Sequence, residues 1–384
     1  MQRSQLSKTK RLVVKVGTGT LNTGDGKFDR QNCARLGAEL AEAARSRRLV
    51  LVSSGAIAFG ARELGLVRGN GKPWDMATKQ ACAAAGQPQL MRAWREALAP
   101  HGLQVAQVLL TADDLANRKR FLNARRTFAR LLDLGVLPVV NENDTVVVEE
   151  IKVGDNDSLA GLVATCVEAD LVAMLTDVDA MYDRDPREPG ARPLRDVVRV
   201  TAEVERMAGG AGSAQSTGGM VTKVRAAKRL ASQGTGTALL SGRAPGALAA
   251  LLAGAPVGTF FAPARDQHLS RRKGWLLSAA RGRGVLLVDE GARRAIEERG
   301  KSLLPSGIKA VAGHFRVGDP VDVAVGHGRP FARGLAGYGA DEVRRIAGLK
   351  SGEIERALGY KYLDEVVHRN DLVLLDDEEA EARQ

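Results

Sequence analysis

RLVVKVG (11–17) is a short apolar run closed by glycine, and NCARLGAELAEAARS (32–46) behind it carries apolar residues at helical spacing. The pair reads as a buried strand followed by an amphipathic helix, and the unit recurs. LVLVSS (49–54), LQVAQVLL (103–110), VLPVVN (136–141), LVAMLT (171–176), TALL (237–240) and VGTFFA (257–262) are further strands. Between them 76–98, 125–135, 158–169, 220–234 and 246–254 have helical periodicity, the first interrupted at Gly86–Pro88. TVVVEEIKVG (145–154) reads as a β-excursion. Such alternation predicts an α/β fold, a mostly parallel open sheet sandwiched by helices.

The pattern changes after about residue 265. RDQHLSRRKG (265–274) is polar and charged. Beyond it the strands are short and punctuated by glycine: GVLLVD (284–289), PVDVAVG (320–326), RPFARGLAG (329–337) and DLVLL (371–375). Helices are expected there only around 291–299 and 341–347. A small, mostly β module fits this pattern. The expected organisation is an α/β domain over 1–265, a linker over 266–280, the β module over 281–375 and an acidic tail, DDEEAEARQ, over 376–384.

Composition narrows the function classes. The 384 residues carry a formal charge of +11 and are 44% hydrophobic, close to an ordinary soluble protein. No apolar run approaches the roughly 18 residues that a membrane span needs. MQRSQLSKTK (1–10) lacks the apolar stretch of a secretory signal, so a cytoplasmic protein is expected. Cys33, Cys82 and Cys166 are odd in number and far apart, which excludes a disulfide framework or a C-x-x-C metal site. They read as small buried apolar residues. The five histidines form no H-x-x-x-H pair, so zinc chemistry is not expected. Residues 1–280 hold 39 Lys and Arg against 27 Asp and Glu, whereas 281–384 hold 17 against 18. The basic excess therefore sits in the first domain. It suits a phosphorylated small substrate, a nucleic acid, or simply solvated helix faces.

Neither G-x-x-x-x-G-K-[ST] nor G-x-G-x-x-G occurs, which argues against P-loop and protein-kinase readings. In open α/β sheets ligands bind beyond the carboxyl ends of the strands. Six segments stand there. Lys15 is followed by Gly17-Thr18-Gly19-Thr20, and the next strand ends in Ser53-Ser54-Gly55. Asn141-Glu142-Asn143-Asp144, Gly154-Asp155-Asn156-Asp157 and Thr176-Asp177 follow. Ser216-Thr217-Gly218-Gly219 leads into a helix bearing Lys223. Small and hydroxyl residues before helix starts suit anions, and two lysines from distant segments can bracket a polyphosphate. The Asn and Asp clusters can hold an ammonium group, orient lysines or meet Mg2+. Each motif alone also reads as a plain turn or helix start. Their coincidence at strand ends is the functional signal.

KVGTGTL (15–21), SSGAIAFG (53–60), NENDTV (141–146), EIKVGDND (150–157), LTDVDAMYDRDPR (175–187) and TGGMVTK (217–223), in this order and spacing, resemble the glutamate 5-kinase family of the amino-acid kinase superfamily. RGVLLVDEGARRAIEERGKSLLPSGI (283–308) resembles the PUA domain that many microbial members carry. The NEND and KVGDND pair is the most specific part, since related kinases of aspartate, acetylglutamate or UMP lack it. GAGSAQSTGG (210–219) departs from the family pattern in its longer Gly-rich approach.

The resemblance implies an amino-acid kinase fold followed by a PUA-like barrel. It implies ATP-dependent phosphorylation of the γ-carboxylate of L-glutamate, the first step of proline biosynthesis, with feedback inhibition by proline. Mg2+ enters as the nucleotide's counter-ion with no protein ligand assigned, and homo-oligomerisation is a family expectation. The match gives Lys15 and Lys223 to the transferring phosphoryl group and Asp157 to orienting both lysines. Glutamate falls to Ser54, Asp144, Asn156 and Asn141. ATP falls to Lys15, Gly17, Thr176, Asp177, Thr217, Gly218, Gly219, Met220 and Lys223. The stretch 61–75 is a loop candidate for the proline response. A carboxylate nucleophile, pKa about 4.3, is ionised at neutral pH and needs no general base, which fits the absence of a well-placed histidine. Two alternatives stand beside this reading. One is another amino-acid kinase, acting on acetylglutamate or aspartate, against which the NEND and KVGDND pair and the PUA-like tail argue. The other is RNA binding through the PUA-like module, although 281–372 carries only 16 Lys and Arg to 13 Asp and Glu.

Overall fold

The computed structural model describes residues 1–66, 74–147, 156–209, 219–263, 283–326 and 328–375. The chain divides into two compact units, Met1–Gln267 and His268–Gln384. The expected linker (266–280) and acidic tail (376–384) lie outside the described residues.

In the first unit eight strands form one sheet. They are β1 (Arg11–Val16), β2 (Arg48–Ser53), β3 (Val105–Leu110), β4 (Leu137–Glu142), β5 (Leu171–Thr176), β6 (Asp196–Val197), β7 (Gly236–Ser241) and β8 (Thr259–Phe261). Their order is β3-β4-β2-β1-β5-β7-β8-β6. Every pairing is parallel except β7 with β8. The helices are α1 (Thr18–Leu21), α2 (Arg30–Ala44), α3 (Ala56–Glu63), α4 (Met76–Leu98), α5 (Ala112–Ala116), α6 (Arg118–Asp133), α7 (Asn156–Val167), α8 (Ala202–Ala208), α9 (Met220–Ser232) and α10 (Ala247–Leu252).

Successive side chains of a strand face opposite sides, so each central strand feeds two cores. Leu12, Val14, Val16, Leu49, Leu51 and Leu171 pack with Leu36 and Leu40 of α2 and with Leu90 and Trp94 of α4. Val13, Val50, Val52, Val172 and Met174 pack with Phe128 of α6, Val163 of α7 and Leu230 of α9. Burial on both faces is why these strands read as continuous apolar runs. The same alternation positions the site. Lys15 shares the α7–α9 face with Val13, and Ser54 continues the row of Val50 and Val52. Each fully buried Val or Leu contributes about 1.5–3 kcal/mol.

Three local expectations are corrected. The break within 76–98 is absent, because α4 runs unbroken through Gly86 and Pro88. Gly86 is a contact rather than a stop. A Cβ there would overlap the Ala56 carbonyl, and one on Gly60 would overlap that of Cys82, so the two glycines let α3 and α4 cross backbone to backbone. The β-excursion begins differently, with Asp144–Val146 forming a single 3-10 turn; residues 148–155 lie outside the described residues. The helix expected at 125–135 starts earlier, at Arg118. Asn117 Oδ1 caps it by accepting from the Arg120 N–H at 3.1 Å, a start that apolar periodicity misses because the first turn is polar. The three cysteines are buried, and burial pushes the Cys33 and Cys166 thiols up to about 12. Among the described residues no helix is long and apolar enough to cross a membrane.

The second unit holds β9 (Gly284–Val288), β10 (Ile308–Gly313), β11 (Pro320–Val325), β12 (Ala332–Leu335) and β13 (Leu372–Leu374), with α11 (Glu290–Glu297), α12 (Ala340–Ile346) and α13 (Ile354–Leu358). The strand order is β10-β9-β11-β12-β13, and only β9 and β11 pair in parallel. Leu286, Val323, Tyr338, Val343 and Val366 form its core. The Tyr338 hydroxyl donates to the Leu363 carbonyl at 2.6 Å. Strand β10 and helix α13 were not expected. β10 is a mostly exposed edge strand, so it shows no apolar run to read.

Candidate active site

At the carboxyl edge of the sheet β1 delivers Lys15, the start of α7 delivers Asp157, and the first turn of α9 delivers Lys223. The three meet in the interior. Lys15 Nζ lies 2.6 Å from Asp157 Oδ1, and Lys223 Nζ lies 3.0 Å from Asp157 Oδ2. All three are buried, Asp157 fully so. Burial alone would raise the Asp157 carboxyl, but the ammonium groups of Lys15 and Lys223 and their hydrogen bonds outweigh it and hold the group below its ordinary value. Two lysines thus share one carboxylate. Thr222, which the sequence reading passed over, also donates its hydroxyl to Asp157 Oδ2 at 3.2 Å.

A second cluster adjoins the first because Asn156 precedes Asp157 on α7. Asn156 Nδ2 donates to Ser54 Oγ at 2.8 Å and to Asn141 Oδ1 at 3.1 Å. Ser54 reaches this point because the chain turns sharply at Gly55, whose φ of 124° favours glycine. Asp144 stands beyond β4, and burial pushes its carboxyl up to about 6.

The residues expected to hold nucleotide surround the lysines in part. The turn after β1 abuts the end of β5: the Gly17 N–H donates to the Leu175 carbonyl at 3.2 Å. A Cβ on Gly17 would lie 3.7 Å from Lys15 Nζ, and one on Gly19 would lie 3.9 Å from Asp177 Cβ. Thr176 is buried and its hydroxyl donates to Asp177 Oδ1 at 2.8 Å. Gly219 is the N-cap of α9, and Met220 opens that helix. Thr217 and Gly218 lie outside the described residues, as do residues 67–73 of the loop expected to respond to proline.

The amino acid kinase family profile matches residues 10–240, and the PUA domain profile matches residues 284–358. A glutamate 5-kinase of Anaeromyxobacter dehalogenans is 73% identical over 376 residues, covering 98% of this chain and 99% of that protein. Those of Syntrophotalea carbinolica and Myxococcus xanthus are each 52% identical, covering 97% of this chain and 100% and 98% of theirs. The chain belongs to the glutamate 5-kinase family.

In this glutamate 5-kinase family member the residues that hold the site from behind were not legible as functional. Gln87 of α4 accepts from Asn141 Nδ2 at 2.9 Å, and Trp94 Nε1 donates to Ser53 Oγ at 2.8 Å. The signal lay in the spacing: Ala83, Gln87, Leu90 and Trp94 follow helical periodicity and are all buried, so Gln87 is a polar residue on an apolar stripe. A cavity of about 630 Å³ opens at the amino ends of β1, β2 and β4, lined by Lys10, Arg11, Arg45, Arg47 and Arg48 among others. It lies at the edge away from the lysine pair, and carboxylates already answer three of its cations: Arg11 with Glu168, Arg45 with Glu42 and Arg48 with Asp133.

Proposed function

We propose that this chain transfers the γ-phosphoryl group of ATP to the γ-carboxylate of L-glutamate, yielding γ-glutamyl phosphate and ADP. The observation that carries the reading is the buried Lys15–Asp157–Lys223 cluster, two lysines held on one carboxylate, set one residue from the Asn156 cluster. A carboxylate oxygen of glutamate forms a bond to the γ-phosphorus as the bond to the β–γ bridging oxygen breaks, and ADP leaves with that electron pair. No proton moves in this step, so the site needs no general base. Lys15 and Lys223 stabilise charge on the phosphoryl oxygens, and Asp157 fixes both ammonium groups in advance of the reaction. Ser54 and Asn156 orient the amino-acid end of glutamate, with Asn141 behind them, and Asp144 pairs with its α-ammonium. Gly17, Thr176, Asp177, Gly219 and Met220 border the nucleotide.

Among the described residues no group of three or more His, Cys, Asp or Glu is placed to hold a metal ion, and both Asp157 oxygens face lysines. Mg2+ enters as the nucleotide's counter-ion, where it neutralises charge on the phosphates. Proline shares glutamate's α-carboxylate and amino nitrogen, and we place its inhibition at the same cluster.

Trapping the acyl phosphate with hydroxylamine tests the reading, with glutamate, aspartate and N-acetylglutamate compared and proline added. Hydroxamate from glutamate alone, suppressed by proline in competition with glutamate, is the expected result. Activity only with N-acetylglutamate or aspartate would move the chain to another amino-acid kinase. The pH profile gives a second test. Asp144 pairs with the α-ammonium only when ionised, so kcat/KM for glutamate is flat above the value of about 6. Below it, kcat/KM falls toward tenfold per pH unit. Asp144→Asn removes that acidic limb and, at neutral pH, lowers kcat/KM by roughly 10–100-fold, the worth of one hydrogen bond to a charged group. An unchanged acidic limb in the variant would assign it elsewhere.

A further inference from the structure

We propose that Gln87 is a positioning residue for glutamate, because it sets which atom of Asn156 faces the substrate. The inference rests on placing glutamate at the Ser54–Asn156 cluster. One hydroxyl and four amide groups form a continuous relay from the site to β3. Asn156 Nδ2 donates to both Ser54 Oγ and Asn141 Oδ1, at 2.8 and 3.1 Å. Asn141 Nδ2 donates to Gln87 Oε1 at 2.9 Å, and Gln87 Nε2 donates to Gln107 Oε1 at 3.1 Å.

An amide has one accepting and one donating end, so the orientation of one member dictates that of the next. With the Gln87 oxygen toward Asn141, Asn141 must present its own oxygen to Asn156. Asn156 then commits its nitrogen to Asn141 and Ser54. Two consequences reach the substrate. Asn156 Oδ1 is left buried with no hydrogen-bond partner, an acceptor suited to an ammonium N–H. Ser54 Oγ, already accepting from Asn156, keeps its hydrogen for a carboxylate. Reversing the relay inverts both: Asn156 would offer N–H groups to an ammonium, and the Ser54 hydrogen would be taken by Asn156.

Gln87 is the member placed to fix this order. It is 8% exposed, and on its helix stripe it lies between Ala83 and Leu90, which are also buried. A polar side chain at such a position is satisfied only through defined partners. Gln107, by contrast, is exposed and can turn to suit its neighbour.

The test is steady-state kinetics on the full chain, with glutamate and ATP varied in turn, for Gln87→Leu and Gln87→Glu. Leu removes the acceptor while keeping an apolar side chain of similar size. Glu keeps an oxygen toward Asn141 in either protonation state: protonated, it donates to Gln107 Oε1; ionised, it accepts from a turned Gln107. Gln87→Leu is expected to raise KM for glutamate about tenfold, leaving kcat and KM for ATP within about twofold. Gln87→Glu is expected to keep KM for glutamate within about threefold of the unsubstituted chain. Equal KM values for glutamate in the two variants would overturn the proposal. So would a parallel rise in KM for ATP, or no rise in Gln87→Leu. Should Gln87→Leu fail to fold, Gln87→Glu decides alone, because a tenfold rise there contradicts a role for the acceptor. Absence of glutamate-dependent activity in the unsubstituted chain would instead overturn the proposed function, and this assignment with it.

Discussion

Lys223→Ala lowers kcat for γ-glutamyl phosphate formation by about 10²–10³, the cost of removing one preorganised donor from charge that develops in a transition state. The variant folds, because the buried Asp157 carboxylate keeps its ion pair with Lys15 at 2.6 Å. KM for glutamate stays nearly constant, since Lys223 hydrogen-bonds the Asp157 carboxylate, the group assigned to orienting the two lysines at the phosphoryl group. Hydroxamate kinetics with glutamate and ATP varied separately check both statements. A variant with normal kcat and a raised KM for glutamate would make Lys223 a grip on the amino acid, and the phosphoryl assignment would fail.

Asp157→Asn reaches further, because the carboxylate serves folding and catalysis together. The substitution takes the anion from between two buried ammonium groups. Breaking a buried ion pair in this way costs about 3–5 kcal/mol, roughly 10 °C in Tm for a domain of this size. Catalysis falls as well, by about 10²-fold or more, because the lysines lose the group that aims them. The sign of the pH dependence follows from the depressed carboxyl. In the fold Asp157 protonates below its unfolded value of 3.8, so its contribution is complete above that value and is lost as pH falls through the folded one. The Tm gap between the parent chain and the variant is therefore full at pH 7 and narrows in acid. Equal Tm values at pH 7 would show that the carboxylate does not hold the lysines together.

The fold was legible where burial is two-sided. The runs at 12–14, 49–52 and 171–175 are apolar throughout because both faces of β1, β2 and β5 are covered, the pattern of strands in a sheet with helices on both faces. Lys15, Ser54, Asn156 and Asp157 were legible because polar residues interrupt apolar pattern where strands end or helices begin. Their pairing came only from the family resemblance, not from residue spacing. Asp157 and Lys223 are 66 residues apart, and only the parallel sheet order, with α7 and α9 on one face, brings them to bonding distance. Gln87 was hidden by its neighbours. Gly86 and Pro88 are usual marks of a break, yet Gly86 serves the α3–α4 crossing and the helix continues through both. Short elements such as α1, α5 and β6 escaped because four, five or two residues are too few to display a period.

The most direct test of the central claim follows one oxygen atom. Glutamate labelled with ¹⁸O in its γ-carboxylate is incubated with ATP and the enzyme in the presence of hydroxylamine, and the released phosphate is read by ³¹P NMR. Hydroxylamine attacks the acyl carbon, so the oxygen that bridged carbon and phosphorus leaves with the phosphate. If the γ-carboxylate is the nucleophile at the Lys15–Lys223 site, each phosphate carries one ¹⁸O, and Lys223→Ala slows its appearance without changing the label. Phosphate released without label would mean that water, not glutamate, attacks the nucleotide, and would contradict the assignment of this site to carboxyl phosphorylation.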